Sequence, residues 1–239
     1  MELHYLSATS ALSKFKNKTL SPVELTKAII ERSEKVNPKI NAHNFTFYEE
    51  AIINAKKSEG KYFTNNEKNL PLEGITLAIK DEEDIEGQPN TNGSLILKDH
   101  IATKTMVDVE RIVNSGAIIH ARTTTPEFSC TSFTHSKLWG VTRNPWNLDY
   151  TPGGSSGGSG ASLAAGCSTL ATGSDIGGSI RIPASACGLV GFKPPHGRNP
   201  QEAPFNHDQY CVVGPMARSV QDCVLMQNVM SGPHPKDIT

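Results

Sequence analysis

Residues 151–198 constrain this chain more than any other stretch. Two serine sites lie there in glycine frames, Gly153-Gly154-Ser155-Ser156-Gly157-Gly158 and Asp175-Ile176-Gly177-Gly178-Ser179. Glycine has no Cβ and accepts positive φ, so backbone N–H groups can be aimed into a site in ways other residues resist. Between the two sites, Ala161-Ser162-Leu163-Ala164-Ala165-Gly166 reads as a helix with a glycine exit, and Leu170-Ala171-Thr172-Gly173 as the strand that follows.

Several functions are compatible with a Gly/Ser block of this kind. A flexible linker is the plainest, but the block passes without a break into an apolar helix and a second glycine motif. A phosphate loop needs a lysine after its final glycine, and none follows. A dinucleotide fingerprint needs a strand directly before it, and residues 147–152 do not form that pattern. Nucleophilic catalysis remains, in two versions. Gly153 to Gly157 satisfies G-x-S-x-G, although that elbow also wants a preceding strand and a downstream histidine, for which only His196, His207 and His234 are left. The other version pairs both serines with Lys80, which closes the apolar run Gly74-Ile75-Thr76-Leu77-Ala78-Ile79. Taken alone, a lysine in that place is more often solvated than catalytic.

Composition narrows the partners. The 239 residues are numerous enough to bury a substantial core, and a net charge of −1 carries no footprint for nucleic acid or an anionic membrane. The odd set Cys130, Cys167, Cys187, Cys211 and Cys223 forms no C-x-x-C pair, which speaks against a disulfide framework or zinc ribbon and for a reducing compartment. The eight histidines are scattered, so no metal site is expected. The N-terminal residues lack a signal-peptide pattern and no apolar run approaches a membrane span, so the chain is expected to be cytoplasmic.

The local signals read as alternating helices and strands. A helix is expected over Ala8 to Phe15. Ser21-Pro22-Val23-Glu24 opens a second with a capping box, and Asn37-Pro38 should stop it. Thr46-Phe47-Tyr48-Glu49 opens a third, running towards Gly60. These helices read as scaffold. Beyond a polar loop from Lys61 to Pro71 come the strand ending at Lys80, a small element at Ser94-Leu95-Ile96-Leu97, a helix from Met106 to Asn114 and a strand at Ala117–Ala121. That order is the βαβ rhythm of a parallel or mixed sheet. Arg122 to Tyr150 reads as an irregular wall containing Trp139 and Trp146. Leu189–Phe192 is a further strand, and Ser219 caps a last helix to Met230.

The string from Gly153 to Pro194, with its two serine motifs and their spacing, resembles the amidase signature family. The resemblance covers most of the chain from Ser21 to Asp222 and includes Ile79-Lys80-Asp81 and Gly214-Pro215-Met216-Ala217-Arg218-Ser219. It implies an α/β fold with a mixed β-sheet core covered by helices, as one domain over residues 1–239 with helices in 1–60 and a catalytic core in 72–232. It implies amide hydrolysis with Ser179 as nucleophile, Ser155 as proton relay after a cis peptide, and Lys80 as base. Ile176, Gly177, Gly178 and Ser179 would supply oxyanion N–H groups, Ser129 would line the substrate, and Ser156 would support the network. Asp175 and Arg181 would form a structural ion pair. Ser174 departs mildly from the common pattern, and Pro195-His196 sits where a small hydroxyl residue and often a tyrosine are expected. No metal or organic cofactor is implied.

Members of that family continue for about as many residues again, so the chain is expected to be C-terminally shortened. Three readings follow: a compact or truncated hydrolase that still cleaves amides or esters of small molecules, a half needing a homodimer or a missing C-terminal partner chain, and a non-catalytic relic. The glutaminase component of an amidotransferase complex is the alternative within the family.

Overall fold

The strongest local signals become the first helices. In this computed structural model, which describes residues 2–64, 69–203 and 205–237, α1 (Ala8–Lys16) is capped by Ser7 and α2 (Pro22–Ile40) opens on the complete Ser21/Glu24 capping box. The stop at Asn37-Pro38 does not occur, because α2 runs through Pro38 to a left-handed Asn41. The proline lies in the final turn, where its missing N–H removes one bond without breaking a longer helix. The Asn37 side chain takes over as cap, accepting from the N–H groups of Ala42 and His43 at 2.8 Å each.

A strand that the sequence pattern does not announce, β1 (His43–Thr46), leads into α3 (Tyr48–Thr64), which continues past Gly60. β2 (Thr76–Lys80), α4 (Val107–Asn114) and β3 (Ile118–Thr123) then form a βαβ unit with parallel strands. Ser94–Leu97 is a run of turns rather than a regular element. The expected irregular wall holds a tight turn at Glu127–Ser129, not a regular helix because Phe128 is left-handed, and a small ribbon of β4 (His135–Ser136) with β5 (Gly140–Val141). Trp139 packs edge-on to Phe45 with centroids 5.1 Å apart, whereas Trp146 is 75% exposed.

After α5 (Gly157–Ala164) and β6 (Leu170–Asp175) come α6 (Arg181–Cys187), β7 (Val190–Gly191), β8 (Val212–Ala217) and α7 (Val220–Met230). Neither α6 nor β8 is announced by the sequence pattern. Pro183 falls in the first turn of α6, where proline is tolerated. Gly214 and Pro215 obscure β8, yet it pairs with β6 along its length, from Leu170↔Ala217 to Asp175↔Val212.

The sheet order is β1-β3-β2-β6-β8-β7. β3, β2 and β6 are mutually parallel, and the remaining pairings are antiparallel, so the mixed sheet under helices is the one that the family resemblance implies. Its two faces differ in side-chain size. Leu77 and Ile79 enter a large core with Phe15, Leu25, Ile29, Ile112 and Met226. Full burial of each such aliphatic chain stabilises by about 1.5–3 kcal/mol. Ala78, Ala121 and Ala171 occupy the other face with Leu163, Ile180 and Met216. Those small residues let the glycine-rich start of α5 approach the sheet edge: a Cβ on Gly158 would sit 2.4 Å from Thr124 N.

Candidate active site

β2 and β6 run parallel as neighbours, so their carboxyl ends open at one edge of the sheet, where open α/β sheets place ligands. β2 ends in Lys80, which is fully buried, and β6 ends in Ser174 and Asp175. Ser155 reaches the same edge through the cis peptide Gly154-Ser155, just before α5. The Lys80 ammonium donates to Ser155 Oγ at 2.7 Å and to Ser174 Oγ at 2.8 Å, and lies 3.1 Å from Glu82 Oε1. Ser156 joins the two serine segments, its N–H donating to the Ser179 carbonyl at 3.2 Å and its hydroxyl to the Ser174 carbonyl at 3.4 Å. Ser179 is half-buried on the turn after β6. With Gly154, Ser155 and Ser174 it lines a cavity of about 690 Å³.

Asp175 organises that turn. Its carboxylate accepts from the N–H groups of Gly178 (2.7 Å), Ile180 (3.1 Å) and Arg181 (3.3 Å), and from the Arg181 guanidinium through two bonds of 2.9 Å. Burial opposes ionisation here, but the Arg181 and backbone donors outweigh it and hold the carboxyl at about 2. The ion pair expected of Asp175 and Arg181 is therefore present. Gly178 has a different task from the one the resemblance implies: its N–H is committed to Asp175, and its φ of +133° suits glycine alone. Ile176, Gly177 and Ser179 line the cavity; Gly178 does not.

Ser129 also lines the cavity, on a segment where Phe128 and Ser129 are both left-handed, with φ of 50° and 55°. Its hydroxyl donates to Glu82 Oε2 and lies 2.9 Å from Thr125 Oγ1. Sequence reasoning missed Glu82. The available signal was the acidic run Asp81-Glu82-Glu83-Asp84 directly after Lys80. Burial would raise the Glu82 carboxyl, but the Lys80 charge and hydrogen bonds from Ser129 and Ser174 hold it below its ordinary value. Thr172 and Thr134 were missed as well. Thr172 Oγ1 accepts the Lys80 N–H at 3.0 Å, and Thr134 Oγ1 donates to the Gly153 carbonyl at 2.9 Å while accepting the Gly157 N–H at 3.1 Å. Among the described residues no group of three or more His, Cys, Asp or Glu is arranged to hold a metal ion, and no helix is long and apolar enough to cross a membrane.

The family model described as Amidase matches residues 24–239. The chain belongs to the amidase family. It is 42% identical to a glutamyl-tRNA(Gln) amidotransferase component from Carboxydothermus hydrogenoformans, over 100% of this chain and 49% of that protein. It is 39% identical to an indoleacetamide hydrolase of Bradyrhizobium diazoefficiens, over 97% of this chain and 45% of the hydrolase. The crystal structure of a bacterial aryl acylamidase of the amidase signature enzymes superposes with a TM-score of 0.93 at 32% identity, over 99% of this chain and 50% of that one. This amidase-family chain thus spans about half the length of the curated relatives it matches.

Proposed function

We propose that this chain hydrolyses linear, non-peptide amide bonds through an acyl-enzyme on Ser179. One observation carries the reading: Lys80 Nζ lies 2.7 Å from Ser155 Oγ at the wall of a cavity that Ser179 also lines. A serine hydroxyl is a weak nucleophile until its proton has an acceptor. Neutral Lys80 takes the Ser155 proton as Ser155 takes that of Ser179, and Ser179 Oγ attacks the amide carbon. The backbone N–H groups of Ile176, Gly177 and Ser179 are the donors we assign to the developing oxyanion, each worth about 3 kcal/mol in such sites. Collapse breaks the C–N bond, the proton returns through Ser155 to the leaving amine, and water repeats the sequence to release the acid. Ser156 and the Asp175–Arg181 pair hold the two serine segments and take no part in proton transfer.

The substrate class we assign is a small amide with an apolar acyl group. Met106, Phe128, Ile176, Ile182 and Val213 line the cavity, and relatives carry the names indoleacetamide hydrolase and acylamidase. The glutaminase component of an amidotransferase is a second reading, favoured by the 42% identity to the glutamyl-tRNA(Gln) amidotransferase relative. Both readings include a covering partner, either a second copy or a separate chain. Phe128, Ile176, Ile182 and Phe205 line the cavity while remaining 38–55% exposed, an apolar rim of the kind that marks an interaction surface. The five free thiols support a reducing compartment, and we assign the chain to the cytoplasm.

A fluorophosphonate probe with intact-mass readout tests the chemistry. One adduct on the wild type and none on Ser179→Ala is expected. A wild type that never labels sinks the hydrolase for the isolated chain, and labelling that survives Ser179→Ala moves the nucleophile to another serine. Release of ammonia from glutamine set against an aryl acetamide separates the two substrate readings, and sedimentation of the pure chain tests the partner.

A further inference from the structure

Lys80 must be neutral to take a proton, yet its surroundings suit an ammonium. An ammonium carries three N–H donors, and Nζ meets three oxygens: Ser155 Oγ at 2.7 Å, Ser174 Oγ at 2.8 Å and Glu82 Oε1 at 3.1 Å. Only the last carries a charge. The other oxygen of Glu82 accepts from Ser129, which belongs to the left-handed pair beside the cavity. One carboxylate therefore bridges the lysine to a loop that substrate would touch.

We propose that Glu82 is a positioning residue of this site, holding the Lys80 side chain towards Ser155 and tying it to the Ser129 loop. The inference rests on the reading of Lys80 as base. The pairing shows on the carboxyl, which burial would raise but the Lys80 charge, with hydrogen bonds from Ser129 and Ser174, holds below its ordinary value. Among the described residues Glu82 is the one carboxylate within ion-pair distance of Nζ. The other charged or titratable groups around the pair are engaged elsewhere or stand further off. Asp81 accepts from Thr91 and Asn44, and Asp175 at the end of β6 is committed to Arg181. Arg122 on β3 donates to the carbonyls of Lys80 and Glu83. Glu83, Asp108 on α4 and Cys211 before β8 act on Glu82 only through space.

Two readouts on the 239-residue chain test this. The first is the pH dependence of fluorophosphonate labelling in the wild type and in Glu82→Gln. The second is the ¹³Cδ shift of Glu82 against pH in the wild type and in Lys80→Met, assigned by its loss in Glu82→Gln. Removing the Glu82 charge is expected to move the labelling limb by about one pH unit or more, which a merely structural side chain would not do. In Lys80→Met the Glu82 carboxyl is expected to titrate higher than in the wild type. A labelling limb unmoved in Glu82→Gln, or a Glu82 carboxyl that titrates alike with and without Lys80, overturns the proposal. A wild type that fails to label while the Glu82 titration moves supports the pairing and overturns the hydrolase reading, so the two fail separately.

Discussion

Two acid–base pairs stand at the same sheet edge, and they are built differently. Asp175 is fully engaged, with three backbone N–H groups and two guanidinium bonds converging on one carboxylate at the end of β6. Lys80 and Glu82 meet through a single contact of 3.1 Å, and their remaining partners are hydroxyls that can donate or accept. A carboxylate surrounded by backbone donors has one low-energy arrangement, so the first pair acts as a clamp on the turn carrying Ser179. Hydroxyls can turn to donate or accept, so the second pair is the adaptable one, and it is there that the proposed hydrolysis would route its protons.

Breaking the second pair at its base should give the largest effect. Lys80→Met is expected to slow labelling of Ser179 by about 10²–10⁴, the range for a general base, while circular dichroism shows a retained fold. Breaking the first pair should instead show in stability. Asp175→Asn is expected to lower the unfolding free energy in urea by about 3 kcal/mol, since it leaves backbone donors and a guanidinium without their anion. The acid limb gives the sign. Asp175 titrates at about 2 in the fold, below its ordinary 3.8, so its contribution is complete above that ordinary value. It is lost as pH falls towards 2, and the Asn variant should lack that limb.

Glu83 sharpens the contrast, because it adjoins Glu82 without a lysine of its own. Its two oxygens find no hydrogen bond of ordinary geometry, and burial, with the neighbouring Asp108 charge, pushes it well above the usual carboxyl range. The sign is opposite to that of Asp175: stability is present at low pH and lost as pH rises from the unfolded value through the folded one. Glu83→Gln is therefore expected to stabilise the protein at neutral pH by about 1 kcal/mol, measured as a higher urea midpoint at unchanged slope. Arg181→Ala should have the smallest effect, below about 1 kcal/mol. Its side chain is 54% exposed, and the three backbone donors to Asp175 remain. A loss as large as that of Asp175→Asn would show that the guanidinium, and not the backbone, carries the clamp.

Legibility followed the range of the interactions. The Ser21/Glu24 box, the Ser219 cap and the buried strand ending at Lys80 rest on contacts within a few residues, and the structure places all three as read. The Asp175–Arg181 pair, which the family resemblance implied, closes across six residues around one turn. Pro38 misled because its position in the final turn, which decides whether a proline breaks a helix, depends on how far the helix extends. β8 stayed hidden because Gly214 and Pro215 carry the wrong local preference, and only pairing with β6 makes them a strand.

The sequence by itself determined the glycine-framed serines, the strand that delivers Lys80 and the family to which the chain belongs. These rest on residue type and spacing, which survive in any conformation. Only the tertiary structure decided that Glu82 and Ser174 share Lys80 with Ser155, and that Gly178 spends its N–H on Asp175. Lys80 and Ser174 are 94 residues apart and become neighbours because β2 and β6 lie side by side in parallel. A hydrogen bond formed across strands in that way depends on register, and register is set by the packing of the whole sheet.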